Sequence, residues 1–149
     1  MSGNALHIVA SLLSYDARVQ SYIFMLTRID WNIDVICYQE ANKPTFEQSG
    51  KVRIFRVAPK YQGKSTLKYL LAYVKFYIRA KSLARKLHRK NPYDVLHINN
   101  MPNFLIGIVS ALKPKPYTIL DMHDIMSINY ETKFGNHTLV IKTAQLEEQ

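Results

Sequence analysis

The sequence is poor in cysteine and has no long apolar run. Cys37 is the only cysteine among the 149 residues, which excludes an intrachain disulfide and fits a reducing cytosol. The longest stretch without Lys, Arg, Asp or Glu, residues 95–112, contains His97 and several asparagines, so it does not predict a membrane span. The start of the chain also lacks the pattern of a secretory signal, because His7 interrupts its first apolar stretch.

Nucleotide-binding loop motifs are missing as well. The five glycines never form a GxGxxG or GxxxxGK[ST] sequence, and those glycines are what let a backbone approach a diphosphate closely. We therefore expect neither NAD nor P-loop nucleotide chemistry, and no cofactor. What is present is an ordinary globular composition, with 48% hydrophobic and 21% charged residues. A chain of this size can bury roughly 70% of its unfolded surface, so we expect residues 1–149 to form one domain.

Acidic residues are absent from one segment. Residues 51–90 contain 13 Lys or Arg and no Asp or Glu, whereas the rest of the chain has 7 bases and 11 acids, a net charge of 7 − 11 = −4. This segment alone gives the whole protein its formal charge of +9. Such a segment predicts a surface for an anionic partner, such as lipid head groups, phosphorylated acceptors or nucleic acid. The alternative interpretation is a solvated helix face.

The same segment carries a long helical pattern that begins at Ser65 and ends before Pro92. Six apolar positions recur at helical spacing and predict the core-facing stripe: Leu67, Leu70, Leu71, Val74, Tyr77 and Ile78. Aromatic rings and long basic side chains suit a membrane interface, so residues off that stripe are expected to contact an anionic membrane. These residues are Lys68, Tyr69, Tyr73, Lys75, Phe76 and Arg79. Nucleic acid is disfavoured, because no zinc knuckle, ribonucleoprotein motif or basic zipper accompanies the charge.

Segments typical of strands and of helices alternate along the chain. Short apolar runs predict five strands, at residues 5–10, 33–38, 52–57, 94–98 and 117–121. Helical spacing predicts helices after the first, third and fourth strands and a weaker one toward the C-terminus. Strands separated by helices return in the same direction. The expected fold is therefore an α/β, doubly wound, mostly parallel, Rossmann-like sheet in the order 3-2-1-4-5, with helices on both faces.

In such a sheet, ligands bind beyond the carboxyl ends of the strands, where the strand order reverses. Here that point lies between the first and fourth strands, and it selects three loops, at residues 11–18, 99–101 and 121–124. His97 stands before the second loop among apolar neighbours, which favours a hydrogen-bonded core histidine.

Two of these loops carry candidate ligand contacts. Asp16 and Arg18 stand where the first helix begins. Asp16 can cap the exposed amides or contact a ligand, and Arg18 can reach an anion. Asn99, Asn100 and Met101 follow the fourth strand, where the amides can bind sugar hydroxyls or form a turn.

The densest polar cluster, Asp121, Met122, His123 and Asp124, follows the fifth strand. A neighbouring carboxylate can fix the tautomer of His123, which leaves the other ring nitrogen to bond a substrate oxygen. A metal site would need a third ligand from a distant loop, and a purely structural role is a further alternative. We predict His123 as the catalytic residue, Asp124 as a substrate contact, and no metal.

Three segments carry a resemblance to a known family. They are YDARV at residues 15–19, DVLHINNMPNFLIG at residues 94–107 and ILDMHD at residues 119–124. In this order and spacing they resemble the amino-terminal domain of family 4 glycosyltransferases of the GT-B fold, over nearly the whole chain. The resemblance implies transfer of a sugar from a nucleotide-sugar donor with retention of anomeric configuration, and it implies that this domain is the acceptor-side half.

The resemblance also implies partners and residue roles. His123 would touch the donor sugar or stabilise charge near the reacting centre, and residues 99–101 would line the acceptor side. Asp16 and Arg18 match the family's DxRV segment at the cleft edge. The implied partners are a nucleotide-sugar donor, held with a second domain or polypeptide, and an acceptor glycan or lipid-linked sugar.

The family has a second, nucleotide-binding domain, and nothing of it follows Gln149. We therefore expect a truncated product or one half of a split enzyme, with little or no transferase activity on its own. The expected location is the cytoplasm, with peripheral contact at the inner face of the membrane. The competing interpretation is a noncatalytic Rossmann-like module that binds an anionic membrane or a protein partner through its basic helix.

Overall fold

The computed structural model describes residues 2–63, 65–99 and 103–121 of the protein. The strands are β1 (Asn4–Val9), β2 (Asn32–Gln39), β3 (Phe46–Ser49), β4 (Val52–Pro59), β5 (Val95–Asn99) and β6 (Tyr117–Asp121). The helices are α1 (Ala17–Arg28) and α2 (Thr66–Lys90), with 3₁₀ helices at Leu13–Tyr15 and Asn103–Ala111.

The six strands form one sheet in the order β3-β4-β2-β1-β5-β6. Every neighbouring pair is parallel except β3 and β4, which are antiparallel. α1 packs on one face of the sheet, and α2 packs on the other face with the second 3₁₀ helix. The predicted α/β, Rossmann-like fold is therefore confirmed, and so is the predicted order of the five strands that the sequence indicates.

β3 is a strand that the sequence pattern does not predict. Its four residues, FEQS, lack apolar alternation. β3 joins β4 through Gly50, whose φ of +54° is a left-handed conformation that glycine adopts without strain. Arg56 holds this hairpin by donating to the Pro44 carbonyl oxygen and to the Glu47 carboxylate, both at 3.0 Å. The short, polar β3 thus covers the edge of β4.

The central strands are buried on both faces, as parallel strands between two helical layers must be. On the α2 face, Leu6 belongs to the same core cluster as Phe76. On the α1 face, Val35 belongs to the same cluster as Val19. Cys37 is also buried there, and burial raises the pKa of its thiol to about 12, so the thiol stays protonated.

The ends of α2 agree with the prediction. Ser65 is the N-cap, and its side chain accepts a hydrogen bond from the backbone amide of Lys68. The helix ends at Lys90, just before the Asn91-Pro92 pair.

The face of α2 that meets the sheet differs from the predicted one. Its buried residues are Phe76, Ala80, Ala84 and His88, which recur every four residues. The two alanines let the helix approach the sheet closely, and Phe76 packs against Tyr38 with ring centroids 4.4 Å apart. Phe76 is fully buried, so the prediction that it contacts a membrane is wrong.

The predicted core-facing stripe of α2 lies on the outside instead. Five of its six members are exposed: Leu67, Leu70, Leu71, Val74 and Ile78. Tyr69 and Tyr73, which were expected to contact a membrane, are half-buried, and their hydroxyl groups share a hydrogen bond of 2.8 Å. Lys68, Lys75 and Arg79 are exposed, as a membrane contact requires. The predicted helix is therefore confirmed, but the predicted orientation is wrong because small residues rather than leucines face the sheet.

The helix predicted after β5 is the 3₁₀ helix Asn103–Ala111. Leu105 and Ile108 are three residues apart and both fully buried, which matches the three-residue turn of this helix type. Pro102 and the predicted C-terminal helix lie outside the described residues. Within residues 2–63, 65–99 and 103–121, no helix combines the length and apolar character needed to cross a bilayer.

A buried carboxylate ties β2 to β4 and to the turn before β5. Asp34 accepts from Arg53 Nε at 2.6 Å and from Arg53 Nη2 at 2.7 Å, and it also accepts from the Tyr93 hydroxyl. Because Asp34 is only 3% exposed, these bonds replace the water that its carboxylate loses on folding. Burial and the Asp34 carboxylate together raise the pKa of Tyr93 well above its ordinary value.

Removing this carboxylate is expected to destabilise the fold. Asp34→Asn keeps the size of the side chain but removes the charge that Arg53 and Tyr93 share, so the free energy of unfolding should fall by about 2–3 kcal/mol in urea denaturation. The matched control is Asp30→Asn, because Asp30 pairs with Lys51 at 2.6 Å while both remain exposed. That substitution should cost less than about 1 kcal/mol. Equal losses in the two variants would contradict the role assigned to Asp34.

Candidate functional site

The carboxyl ends of β1, β5 and β6 meet at one edge of the sheet. Val9 pairs with Asn99, and Asn99 pairs with Asp121, so the three strand ends form one row. After β1 the chain passes through the turn Leu13–Tyr15 into α1, which therefore begins at the same edge. The strand order reverses between β1 and β5, as predicted, and we call this place the switch point.

Asp16 is the N-cap of α1. Its Oδ1 accepts from the Val19 amide at 3.3 Å, and its Oδ2 accepts from the Ser11 hydroxyl at 3.0 Å. The residue is 8% exposed. Of the two roles that the sequence left open, the structure shows the capping role, which fixes the start of α1 at the switch point.

Polar side chains from α1, β5 and β6 meet at the switch point. The Tyr22 hydroxyl donates to Asp121 Oδ2 at 3.3 Å, and His97 Nε2 lies 3.8 Å from the same oxygen. The ring centroids of Tyr22 and His97 are 5.0 Å apart. A phenol, an imidazole and a carboxylate in contact can exchange hydrogen bonds with several hydroxyl groups of a ligand.

Arg18 adds positive charge to this group. It is exposed on the first turn of α1, where it reinforces the partial positive charge of the helix N-terminus. The negative charge of Asp121 raises the pKa of Tyr22, and the positive charge of Arg18 acts in the opposite direction. The site therefore combines the positive charge of Arg18 with groups that donate and groups that accept hydrogen bonds.

His7 and Asn99 lie beneath this group and are almost completely buried. Asn99 Nδ2 donates to the His97 carbonyl oxygen at 3.2 Å and lies 3.4 Å from His7 Nδ1. Burial, reinforced by His97, lowers the pKa of His7 to about 3, so its ring is neutral at pH 7. The expectation that Asn99 contacts a substrate directly is contradicted, because its side chain points into the interior on the α1 face. His97 is confirmed as a buried histidine, at 9% exposure.

Four predicted site residues lie outside the described residues: Asn100, Met101, His123 and Asp124. Their roles, including the catalytic role of His123, stay predictions. Within residues 2–63, 65–99 and 103–121, no group of three His, Cys, Asp or Glu side chains could hold a metal ion.

Two described residues gain importance that the sequence pattern did not assign to them. Tyr22 lies at helical spacing with the apolar residues Val19, Ile23 and Leu26 of α1, and Asp121 is the last residue of β6, at the start of the polar cluster. The one feature of the sequence that could have indicated this role is the hydroxyl group of Tyr22 among the apolar residues of the same helix face. Their contact also needed the strand order, which places β6 beside β5.

Solved structures with the same fold exist, although no known family and no curated protein matches the sequence. Sucrose-phosphate synthase from Thermosynechococcus elongatus has a TM-score of 0.62 at 16% identity, over 98% of this chain and 39% of that chain. A shorter chain of the same synthase has a TM-score of 0.56 at 17% identity, over 95% of this chain and 71% of that chain. The C-terminal domain of a hydrogenase from Pyrococcus furiosus has a TM-score of 0.54 at 14% identity, over 81% of this chain and 91% of that chain.

At these identities the likeness shows the fold alone. This chain spans 39% of the length of the synthase chain that it matches. The same fold serves a synthase and a hydrogenase, so function must be argued from the side chains at the switch point.

The buried His7 is expected to make the protein sensitive to acid. Its pKa is about 3 in the folded protein and the ordinary 6.5 in the unfolded chain, so unfolding takes up a proton below pH 6.5. The stability that it contributes is present above pH 6.5 and is lost as the pH falls toward 3, by up to about 1.4 kcal/mol per pH unit. His7→Asn keeps an acceptor for Asn99 and should lose less stability than the unchanged protein between pH 7 and pH 5, in urea denaturation. If the free energy of unfolding had the same pH dependence in both proteins, His7 would not be neutral and buried.

Proposed function

We propose that this chain is the acceptor-side, amino-terminal domain of a retaining glycosyltransferase of the family 4 type. The complete enzyme would move a sugar from a nucleotide-sugar donor to a lipid-linked or polysaccharide acceptor. The observation that carries the proposal is the contact of Tyr22 with Asp121 at the switch point of a Rossmann-like sheet, with Arg18 four positions before Tyr22 on the exposed first turn of α1.

This group suits a sugar acceptor. The Tyr22 hydroxyl can donate and accept, and the Asp121 carboxylate can accept from the hydroxyl groups that define a sugar. Arg18 at the start of α1 can bind a phosphate, whether on the acceptor or on the leaving diphosphate. Because these side chains stand on a helix and on strand ends, a ligand would meet them already oriented.

The transfer step would need the remaining predicted residues and a second half. His123 would contact the donor sugar or stabilise charge near the reacting centre, while Asn100, Met101 and Asp124 would line the acceptor side. The leaving diphosphate accumulates negative charge, which preorganised donors stabilise when two domains close and exclude water. The donor itself would be held with a second domain or polypeptide.

Two observations support the proposal. Sucrose-phosphate synthase, a glycosyltransferase, shares its fold with 98% of this chain. Each of the three segments that resemble the family also has a part at one edge of the sheet: YDARV reaches it at the start of α1, and the other two at the carboxyl ends of β5 and β6.

The second candidate function is a noncatalytic Rossmann-like module. The observation that favours it is the likeness to a hydrogenase domain, which shows that this fold also occurs outside sugar-transferring enzymes. Such a module would bind an anionic membrane or a protein partner through α2, and its switch point would bind no sugar. Sugar binding at the switch point therefore separates the two functions.

Nuclear magnetic resonance titration of the isotope-labelled chain with mono- and disaccharides and their phosphates tests the proposal. We expect amide shifts at the start of α1 and at the carboxyl ends of β1, β5 and β6. Sugar phosphates should bind more tightly than the neutral sugars, because Arg18 and the helix N-terminus attract the phosphate. Shifts confined to the amino edge of the sheet, or no shifts with any sugar, would contradict the proposal.

Arg18→Gln isolates the cationic end of the site. We expect this variant to weaken sugar-phosphate binding about tenfold and to leave neutral-sugar binding unchanged, because only the phosphate needs the charge. The matched control, Arg28→Gln, removes the same charge from the last turn of the same helix and should change neither affinity. Equal effects of the two substitutions would show that overall charge, rather than the site, attracts the phosphate.

A further inference from the structure

We propose that the outer face of α2 docks onto the surface of an anionic lipid bilayer. This outer face consists of an apolar stripe and a basic flank. The stripe is formed by Leu67, Leu70, Leu71, Val74 and Ile78, and the flank by Lys68, Lys75, Arg79 and Lys86. None of these residues belongs to the switch point, so the proposal stands independently of the proposed function.

The stripe is continuous and strongly exposed. Leu67 is 67% exposed and Ile78 is 59% exposed. Leu67, Leu71, Val74 and Ile78 follow one another at intervals of four, three and four residues, so they form a single line along about 17 Å of helix. Single exposed hydrophobic side chains are ordinary, but an apolar line of this length marks an interaction surface.

The stripe is not needed to pack α2 against the sheet. That contact uses other residues of the helix, Phe76, Ala80, Ala84 and His88, which are buried. Phe76 follows Val74 by two positions, which places it about 200° around the helix. α2 therefore carries two apolar faces in its first half, and the sheet covers one of them.

The basic flank runs along one side of the stripe, and all four of its members are exposed. Arg79 and Lys86 line a shallow groove of about 430 Å³ together with Ile78, Ser82 and Val57. Arg79 Nη1 donates to the Val57 carbonyl oxygen at 2.6 Å, which holds the guanidinium against β4. Two cations and a hydroxyl beside an apolar side chain suit a lipid phosphate whose acyl chains lie along the stripe.

The charge of α2 distinguishes among the possible partners of its outer face. α2 has eight Lys or Arg and no Asp or Glu, so pairing two copies through their stripes would bring two strongly basic helices together. Nucleic acid would match the charge but would leave the stripe in water. An anionic bilayer matches both features, because its phosphates meet the flank and its interface receives the stripe.

Docking in this way would also orient the domain. α2 begins after the carboxyl end of β4, so the apolar half of α2 lies toward the edge of the sheet that carries the switch point. The bilayer would then hold that edge within reach of a lipid-linked ligand. This consequence alone rests on the proposed function.

Co-sedimentation of the full chain with lipid vesicles tests the proposal. The vesicles are equal parts phosphatidylcholine and phosphatidylglycerol, or phosphatidylcholine alone. We expect binding to the anionic vesicles at low salt and at least about tenfold weaker binding to phosphatidylcholine. Binding to the anionic vesicles should weaken as salt screens the flank.

Substitutions in the stripe test its apolar contribution. Leu71→Gln with Ile78→Gln should weaken binding to the anionic vesicles at least about tenfold, because two apolar side chains no longer enter the interface. The matched control is Met25→Gln with Ile29→Gln, which replaces two similarly exposed apolar side chains on and just after α1. The control should bind as the unchanged chain does, and circular dichroism verifies that all variants are folded.

Substitutions in the groove test the choice of anionic lipid. Arg79→Gln with Lys86→Gln should weaken binding to the anionic vesicles about tenfold, because both cations would meet lipid phosphates. Lys113→Gln with Lys115→Gln removes the same charge from the connection before β6 and should weaken binding far less. Equal effects of the two pairs would overturn the assignment of the groove.

Three further results would overturn the proposal. One is no binding to anionic vesicles, and another is binding that survives the stripe substitutions. The third is a dimer, or a complex with duplex DNA, that forms while vesicles are not bound, since either would assign the face to another partner. Failure of the sugar titration would leave the vesicle result standing, so the two proposals fail separately.

Discussion

Parallel pairing of β1 with β5, and of β5 with β6, decides which side chains can act together in this protein. The pairing aligns Val9, Asn99 and Asp121 in one row, and it brings Tyr22 and Asp121 into contact although 99 positions separate them. A shift of one residue in either pairing would turn every side chain of that strand to the opposite face. The polar group at the switch point and the buried pair beneath it both depend on this register.

α2 shows how one helix can serve two surfaces. Its small residues approach the sheet, while its larger aliphatic residues remain outside beside a line of cations. Because α2 begins at the carboxyl end of β4, its apolar half and the switch point lie toward the same edge of the sheet. The proposed sugar contact and the proposed lipid contact therefore concern the same edge of the sheet. The polar group at the switch point and the outer face of α2 nevertheless use different interactions and are tested by different experiments.

Local patterns predict part of this arrangement because strands and helices differ in their apolar periods. The five apolar runs, the capping role of Asp16 and the end of α2 before Pro92 all follow from such local signals. The orientation of α2 does not, because two stripes share helical spacing and only packing volume selects the one that contains Ala80 and Ala84. β3 has no apolar pattern of its own, and it forms because Gly50 permits a tight turn against β4. The burial of Asn99 and the contact of Tyr22 with Asp121 depend on tertiary structure, which no local pattern contains.

The most direct test of the central claim is a double-mutant cycle between α1 and β6. Tyr22→Phe, Asp121→Asn and the double variant are compared by their free energies of unfolding in urea. If α1 and the end of β6 form one site, the two substitutions should couple by about 0.5–1.5 kcal/mol, since the first removes the hydrogen bond on which the second acts. Effects that add to within about 0.3 kcal/mol would show that the two side chains do not meet, and the account of the switch point would be wrong.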